Sequence, residues 1–65
     1  MKRIAIPDHP TPADYAAARH ALGHSQASLA LAIGMSERTV KHRESAAGNV
    51  TREMMLALQA VPRRR

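Results

Sequence analysis

Near the middle of the chain, Glu37, Arg38, Lys41 and His42 form two pairs spaced four residues apart. On a helix such pairs share one outward face, and these long polar side chains have no internal partner in view. Arg43 adds a third strong cation to the same stretch. Together they concentrate hydrogen-bond donors and positive charge, the chemistry that grips phosphate oxygens and reads base edges. An ordinary hydrated helix face has the same composition, so charge alone does not separate the two readings.

Other sets of reactive side chains are weaker. His20 and His24 have metal-ligand spacing, but Gly23 ends the helix between them and there is neither a cysteine nor a nearby carboxylate to complete a zinc site. No glycine-rich phosphate loop, paired carboxylates or catalytic triad is in view, and so small a domain encloses little pocket. The chain is read as a non-enzyme, with no cofactor and no metal expected.

The elements that must position the polar face follow from caps and apolar spacing. Ser36 caps a helix from Glu37 to about Glu44, with Val40 turned inward. Ser25 caps a preceding helix from Gln26 to Ile33, whose Leu29, Ala30 and Ile33 form an apolar stripe. Gly34, between Ile33 and Met35, hinges the two. Upstream, Thr11 caps a helix from Pro12 to about Leu22, with Asp14 completing a capping box and Gly23 closing it. Its stripe is Tyr15, Ala18 and Leu22, with Arg19 beside it. Downstream, 45–50 is a turn-prone loop, and Thr51 caps a helix from Arg52 to Ala60 with Met54, Met55, Leu58 and Val61 inward. The methionine pair reads as core rather than as a recognition surface.

The whole is all-α: four short helices around one apolar centre. Residues 1–10 form an N-terminal arm broken by Pro7 and Pro10, in which Lys2 to Ile6 is either an extended arm or an edge strand. Residues 11–61 are the domain, and 62–65 a basic tail expected to be disordered. At 65 residues the core is near the lower limit for unaided folding, and with Tyr15 the only aromatic it must be aliphatic. No apolar run spans a bilayer and Met1 to Ile6 is too short for a signal peptide, so a cytoplasmic location is expected. The formal charge is +5, yet residues 4–35 hold a single Lys or Arg, Arg19. Apart from Arg52, the remaining Lys and Arg gather at Arg38, Lys41 and Arg43, at Lys2–Arg3, and at Arg63–Arg65, a distribution that suits a nucleic acid.

The segment LGHSQASLALAIGMSERTVKHRES resembles the helix-turn-helix of phage Cro/repressor-like (Xre-type) transcription regulators. The matching residues are Ser25-Gln26, Leu29-Ala30, Gly34, Ser36, Thr39-Val40 and Glu44, and the similarity extends over about residues 12–61. The resemblance implies a compact four-helix, lambda repressor-like domain that binds double-stranded operator DNA as a homodimer, with helix 37–44 in the major groove. It implies that Ser25 and Gln26 hold a phosphate, and that Ser36 and Thr39 contact phosphate or bases. Arg38 becomes the candidate for a bidentate contact to guanine, with Lys41 and His42 reaching further bases, Glu37 accepting from cytosine, and Arg52 reaching phosphate or the minor groove. Arg19 and Glu44 would form a structural ion pair. The chain departs from the pattern at His24 and Arg43, where apolar or aromatic residues are usual, at Ala46 in place of glycine, and in lacking a fifth helix. The competing expectation is a protein-interaction module or antitoxin that uses the same frame to dock a protein partner through the Met-Leu face of helix four and the arm.

Overall fold

The computed structural model describes residues 6–63. The arm residues 1–5 and the tail residues 64–65 lie outside the described residues, and with them half of the expected arm and half of the expected tail. Within 6–63 the fold is all-α, with α1 (Pro12–Ala21), α2 (Gln26–Ile33), α3 (Glu37–Glu44) and α4 (Arg52–Gln59) and no strand among the described residues. No helix among them is long and apolar enough to cross a membrane.

Each helix begins where a hydroxyl takes up a free backbone N–H. Thr11, Ser25, Ser36 and Thr51 all accept from the amide three residues on. In α1 the Asp14 carboxylate returns the bond to the Thr11 amide at 2.8 Å, closing the capping box. Helix α2 has its own box, in which the Ser28 hydroxyl accepts from the Ser25 amide at 2.9 Å. A serine at that position is not the usual Glu or Gln, and the sequence reading passed over it. Four short helices gain little from propensity alone, so these caps matter at about 1 kcal/mol each.

The core draws on every helix. Tyr15 from α1, Leu29 from α2, Val40 from α3, and Met55 and Leu58 from α4 are fully buried. Ala18, Leu22, Ala30, Val50 and Val61 complete the cluster, and Ile6, Ile33, Met35 and Met54 pack partly buried against it. Helices α2 and α3 pack most extensively on each other, with α1 crossing behind both α3 and α4. Ala30, 3% exposed, is the small residue that permits the close α2–α3 approach.

Two glycines define that pair for different reasons. Gly34 ends α2 at φ 73, ψ 34, the left-handed region, and a Cβ there would have nothing within 4 Å. Gly48 follows α3 and has ordinary backbone angles. A Cβ on it would stand 2.5 Å from the carbonyl oxygens of both His42 and Arg43. The loop thus presses its backbone onto the last turn of α3, where Ser45 also donates to the His42 carbonyl at 2.7 Å.

These geometries predict distinct mutational responses, readable in chemical denaturation. Gly34→Ala costs about 1–2 kcal/mol of backbone strain, and Gly34→Asn less, since asparagine tolerates the left-handed region. Gly48→Ala costs about 1–3 kcal/mol through contact with backbone, and Gly48→Asn no less. Equal responses of both sites to asparagine would contradict this assignment.

Candidate nucleic-acid interface

Helix α3 carries the polar face. Glu37, Arg38, Lys41 and His42 are all exposed, Thr39 is half-buried, and Val40 alone of the helix is fully inward. Lys41 Nζ stands 3.3 Å from Glu37 Oε2. The expectation that neither had an internal partner is corrected by this ordinary i, i+4 pair, worth a few tenths of a kcal/mol at an exposed site and readily exchanged for a stronger partner. Arg38 and His42 have no side-chain hydrogen bond or ion pair among the described residues. At the head of α3, Ser36 Oγ and Thr39 Oγ1 are 2.9 Å apart and Ser36 accepts from the Thr39 amide, so one hydroxyl hydrogen of the two remains free to donate outward.

Behind this face sits a buried polar network that fixes the ends of three helices. Arg19 on α1 donates from Nε to Glu44 Oε2 at 2.7 Å and from Nη2 to Oε1 at 2.9 Å, a bidentate pair joining α1 to the last residue of α3. The two side chains are only 9% and 8% exposed. Arg19 Nη1 donates to the His24 carbonyl at 2.9 Å, which ties in the connector before α2. Gln26, the first residue of α2, donates from Nε2 to Glu44 Oε1 at 3.2 Å. No buried side-chain nitrogen or oxygen among the described residues lacks a partner.

Electrostatics match the geometry. Burial pushes the Glu44 carboxyl up, but hydrogen bonds from Arg19 and Gln26 and the charge of Arg19 outweigh it, and the group lies below its ordinary value of 4.5. The hydrogen bond to Glu44 holds the Arg19 guanidinium above its ordinary value against the opposing effect of burial.

Several residues expected to contact a ligand are engaged in internal bonds. Gln26 is committed to Glu44 through one hydrogen of its two-hydrogen amide nitrogen. Ser25 accepts from the Ser28 amide at 3.0 Å and keeps its own hydrogen. Arg52 at the head of α4 reaches back to the Pro7 carbonyl at 3.2 Å and to Asp8 Oδ1 at 3.4 Å, pinning the segment before α1 rather than standing free.

Sequence reasoning marked two positions as departures without finding their partners. Arg43, the residue out of pattern on α3, lies half-buried with its guanidinium 5.8 Å from the centroid of the Tyr15 ring, and Nη1 donates to the Tyr15 hydroxyl at 3.4 Å. The aliphatic stem covers the core while the cation rests on the one aromatic face in the chain, a cation–π contact of about 0.5–1 kcal/mol at a partly exposed site. The out-of-pattern arginine thus fills its place against the core. His24, the other departure, bridges elements: Nδ1 is 2.9 Å from Ser28 Oγ, and Nε2 is 2.9 Å from the Pro62 carbonyl beyond α4. A carbonyl only accepts, so Nε2 carries the proton. The signal for both was present as an unexplained polar residue at an apolar position, but its partners were distant in sequence.

No group of three or more His, Cys, Asp or Glu among the described residues is placed to hold a metal ion. Comparison of the chain with protein-family models, curated proteins and solved structures gives no match.

The ion pair predicts a stability effect. Arg19→Ala strands a buried carboxylate and costs about 3–5 kcal/mol. A domain of this size has about 3–10 kcal/mol in all, so the variant is mostly unfolded or melts well over 10 °C lower. Because the Glu44 value is depressed on folding, its contribution is fully present above 4.5 and is lost as pH falls through the lower folded value. The raised Arg19 value acts only in strong alkali, outside any practical range. Wild-type and Glu44→Gln melting temperatures therefore differ near neutrality and converge in acid; a difference constant from pH 7 to pH 2 would contradict the linkage.

Proposed function

We propose that the chain is a sequence-specific double-stranded DNA-binding protein of Cro/repressor type, a small helix-turn-helix regulator that acts as a homodimer. The observation that carries this reading is the division of labour in α3. One side of that helix is locked to the core through Val40, Arg43 and Glu44, while the other offers Arg38 and His42 unpaired among the described residues and Lys41 only weakly paired. A rigid helix with an unsatisfied cationic face suits the major groove, whose width admits one helix. In this reading Arg38 contacts guanine, Lys41 and His42 reach neighbouring bases or phosphates, Glu37 accepts from cytosine, and Ser36 and Thr39 contact phosphate or bases. Ser25 and the free amide hydrogen of Gln26 hold a phosphate, whereas Arg52 has a competing internal role. One eight-residue helix reads few bases, and a two-fold pair on half-sites one turn apart supplies the remaining specificity.

A second reading has one observation in its favour. Leu31 on α2 is 85% exposed and Leu56 on α4 is 52% exposed, and an open groove near them is lined by Ile33, Met35, Met54 and Ala57 together with the polar Arg43, Thr51 and Glu53. Such apolar exposure suits a protein partner, as for an antitoxin or adaptor built on the same frame. A stoichiometric protein partner together with no retardation of any DNA would favour it.

Selection of bound sequences from random duplex DNA, run with wild type and Arg38→Ala, separates base reading from backbone attraction. The expected result is a motif that loses one position in the variant, at about 1–3 kcal/mol. Uniform weakening would make Arg38 a phosphate contact. Affinity that does not fall between low and physiological salt would exclude nucleic acid as the partner.

A further inference from the structure

We infer that two copies of this chain pair through the outward face of α4, helix against helix and antiparallel, about a two-fold axis over position 58. This rests on the homodimer proposed above and assigns it a surface. Helix α4 has two apolar faces. Met55 and Leu58 turn inward and are buried, while Leu56, Ala57 and Ala60 on the other side are exposed. Within its own chain α4 packs chiefly on α1 rather than on α3. A partner on its outer face therefore leaves the polar face of α3 open.

Charge and size together fix the register. No charged residue lies between Glu53 and Arg63. Both are exposed, and neither is in an ion pair among the described residues. Arg52, beside Glu53, is turned to Pro7 and Asp8 instead. The exit of Arg63 is held by the Pro62 carbonyl, which accepts from His24 Nε2 at 2.9 Å. Antiparallel pairing brings Glu53 of each copy toward Arg63 of the other, whereas parallel pairing sets like charges together. Leu56 and Ala60, four residues apart, share one side of the helix. The register that joins Glu53 to Arg63 also lays the leucine of one copy on the alanine of the other, because both pairs are centred on position 58. Large against small, repeated by the two-fold, is the self-complementary layout of an isologous interface. Leu31, the other exposed large hydrophobic, stands on a helix with no charged residue to set a register.

Dimer dissociation is measured without DNA, by sedimentation equilibrium of the full chain. Leu56→Glu should raise the dissociation constant by about tenfold or more, and Leu31→Glu should leave it unchanged. Glu53→Arg and Arg63→Glu should each weaken pairing, and their combination should restore it. The chain has no cysteine, so the register is tested directly. Leu56→Cys mixed with Ala60→Cys in a thiol–disulfide buffer should give the mixed disulfide in excess of its statistical half, with both single variants alone cross-linking poorly. A wild type that stays monomeric, a charge exchange that fails to restore pairing, or statistical cross-linking overturns the interface. If that monomer still binds duplex DNA, the DNA reading stands without it. A dimer of this register that binds no duplex overturns the DNA reading and leaves the interface. A monomer that forms a stoichiometric complex with an unrelated protein, lost in Leu56→Glu, overturns self-pairing and assigns the face to that partner.

Discussion

The bidentate contact between Arg19 and Glu44 is the constraint on which the rest of this small structure depends. Charges are expensive to bury, and a domain of this length has little stability to spare, so the pair persists because none of its buried nitrogens and oxygens lacks a partner. Arg19 spends its further N–H on the connector carbonyl, and Glu44 takes a third bond from Gln26. One carboxylate thereby gathers the end of α1, the head of α2 and the end of α3, which hydrophobic contact alone would leave free to slide. Aliphatic side chains pack with little directional preference; a forked ion pair has a single geometry. The core supplies most of the free energy and the ion pair supplies the register.

Around that node the polar residues sort into layers. Those nearest it are fully satisfied and structural. Next come Gln26, Ser25, Ser36 and Thr39, each with one bond made internally and capacity for another. Outermost are Arg38 and His42, free among the described residues, and Lys41, held only by an exposed neighbour. Under the proposed function this gradient has a physical use. Side chains partly fixed by internal bonds lose less conformational entropy when they meet a ligand, and the free ones retain the reach to discriminate.

Local chemistry was legible in the sequence, whereas of the long-range polar contacts only the Arg19–Glu44 pair was expected, and that from the resemblance rather than from spacing. The four hydroxyl caps, the turn at Gly34, and the inward residues Tyr15, Leu29, Val40, Met55 and Leu58 follow from spacing within a dozen residues, and the helices begin and end within one residue of where those signals place them. Gly48 was invisible as a requirement, because its need arises from the approach of a loop backbone to α3 rather than from its own dihedral angles. His24 and Arg43 stood out only as misfits. Their partners, Pro62 and Tyr15, lie 38 and 28 residues away, and nothing in periodicity encodes such a pairing. The candidate site divides in the same way: the outward face of α3 follows from helical period, whereas the engagement of Gln26 by Glu44 and of Arg52 by the segment before α1 needed the fold.

The placement of Arg43 over Tyr15 gives the molecule an optical property. The chain contains no tryptophan or phenylalanine and one tyrosine, so its entire near-ultraviolet signal comes from a single phenol ring that is wholly shielded from water. That ring belongs to α1, yet the guanidinium above it belongs to α3. Its absorption and emission consequently register the seating of the proposed recognition helix on the body of the domain, without any introduced label and without interference from a second chromophore.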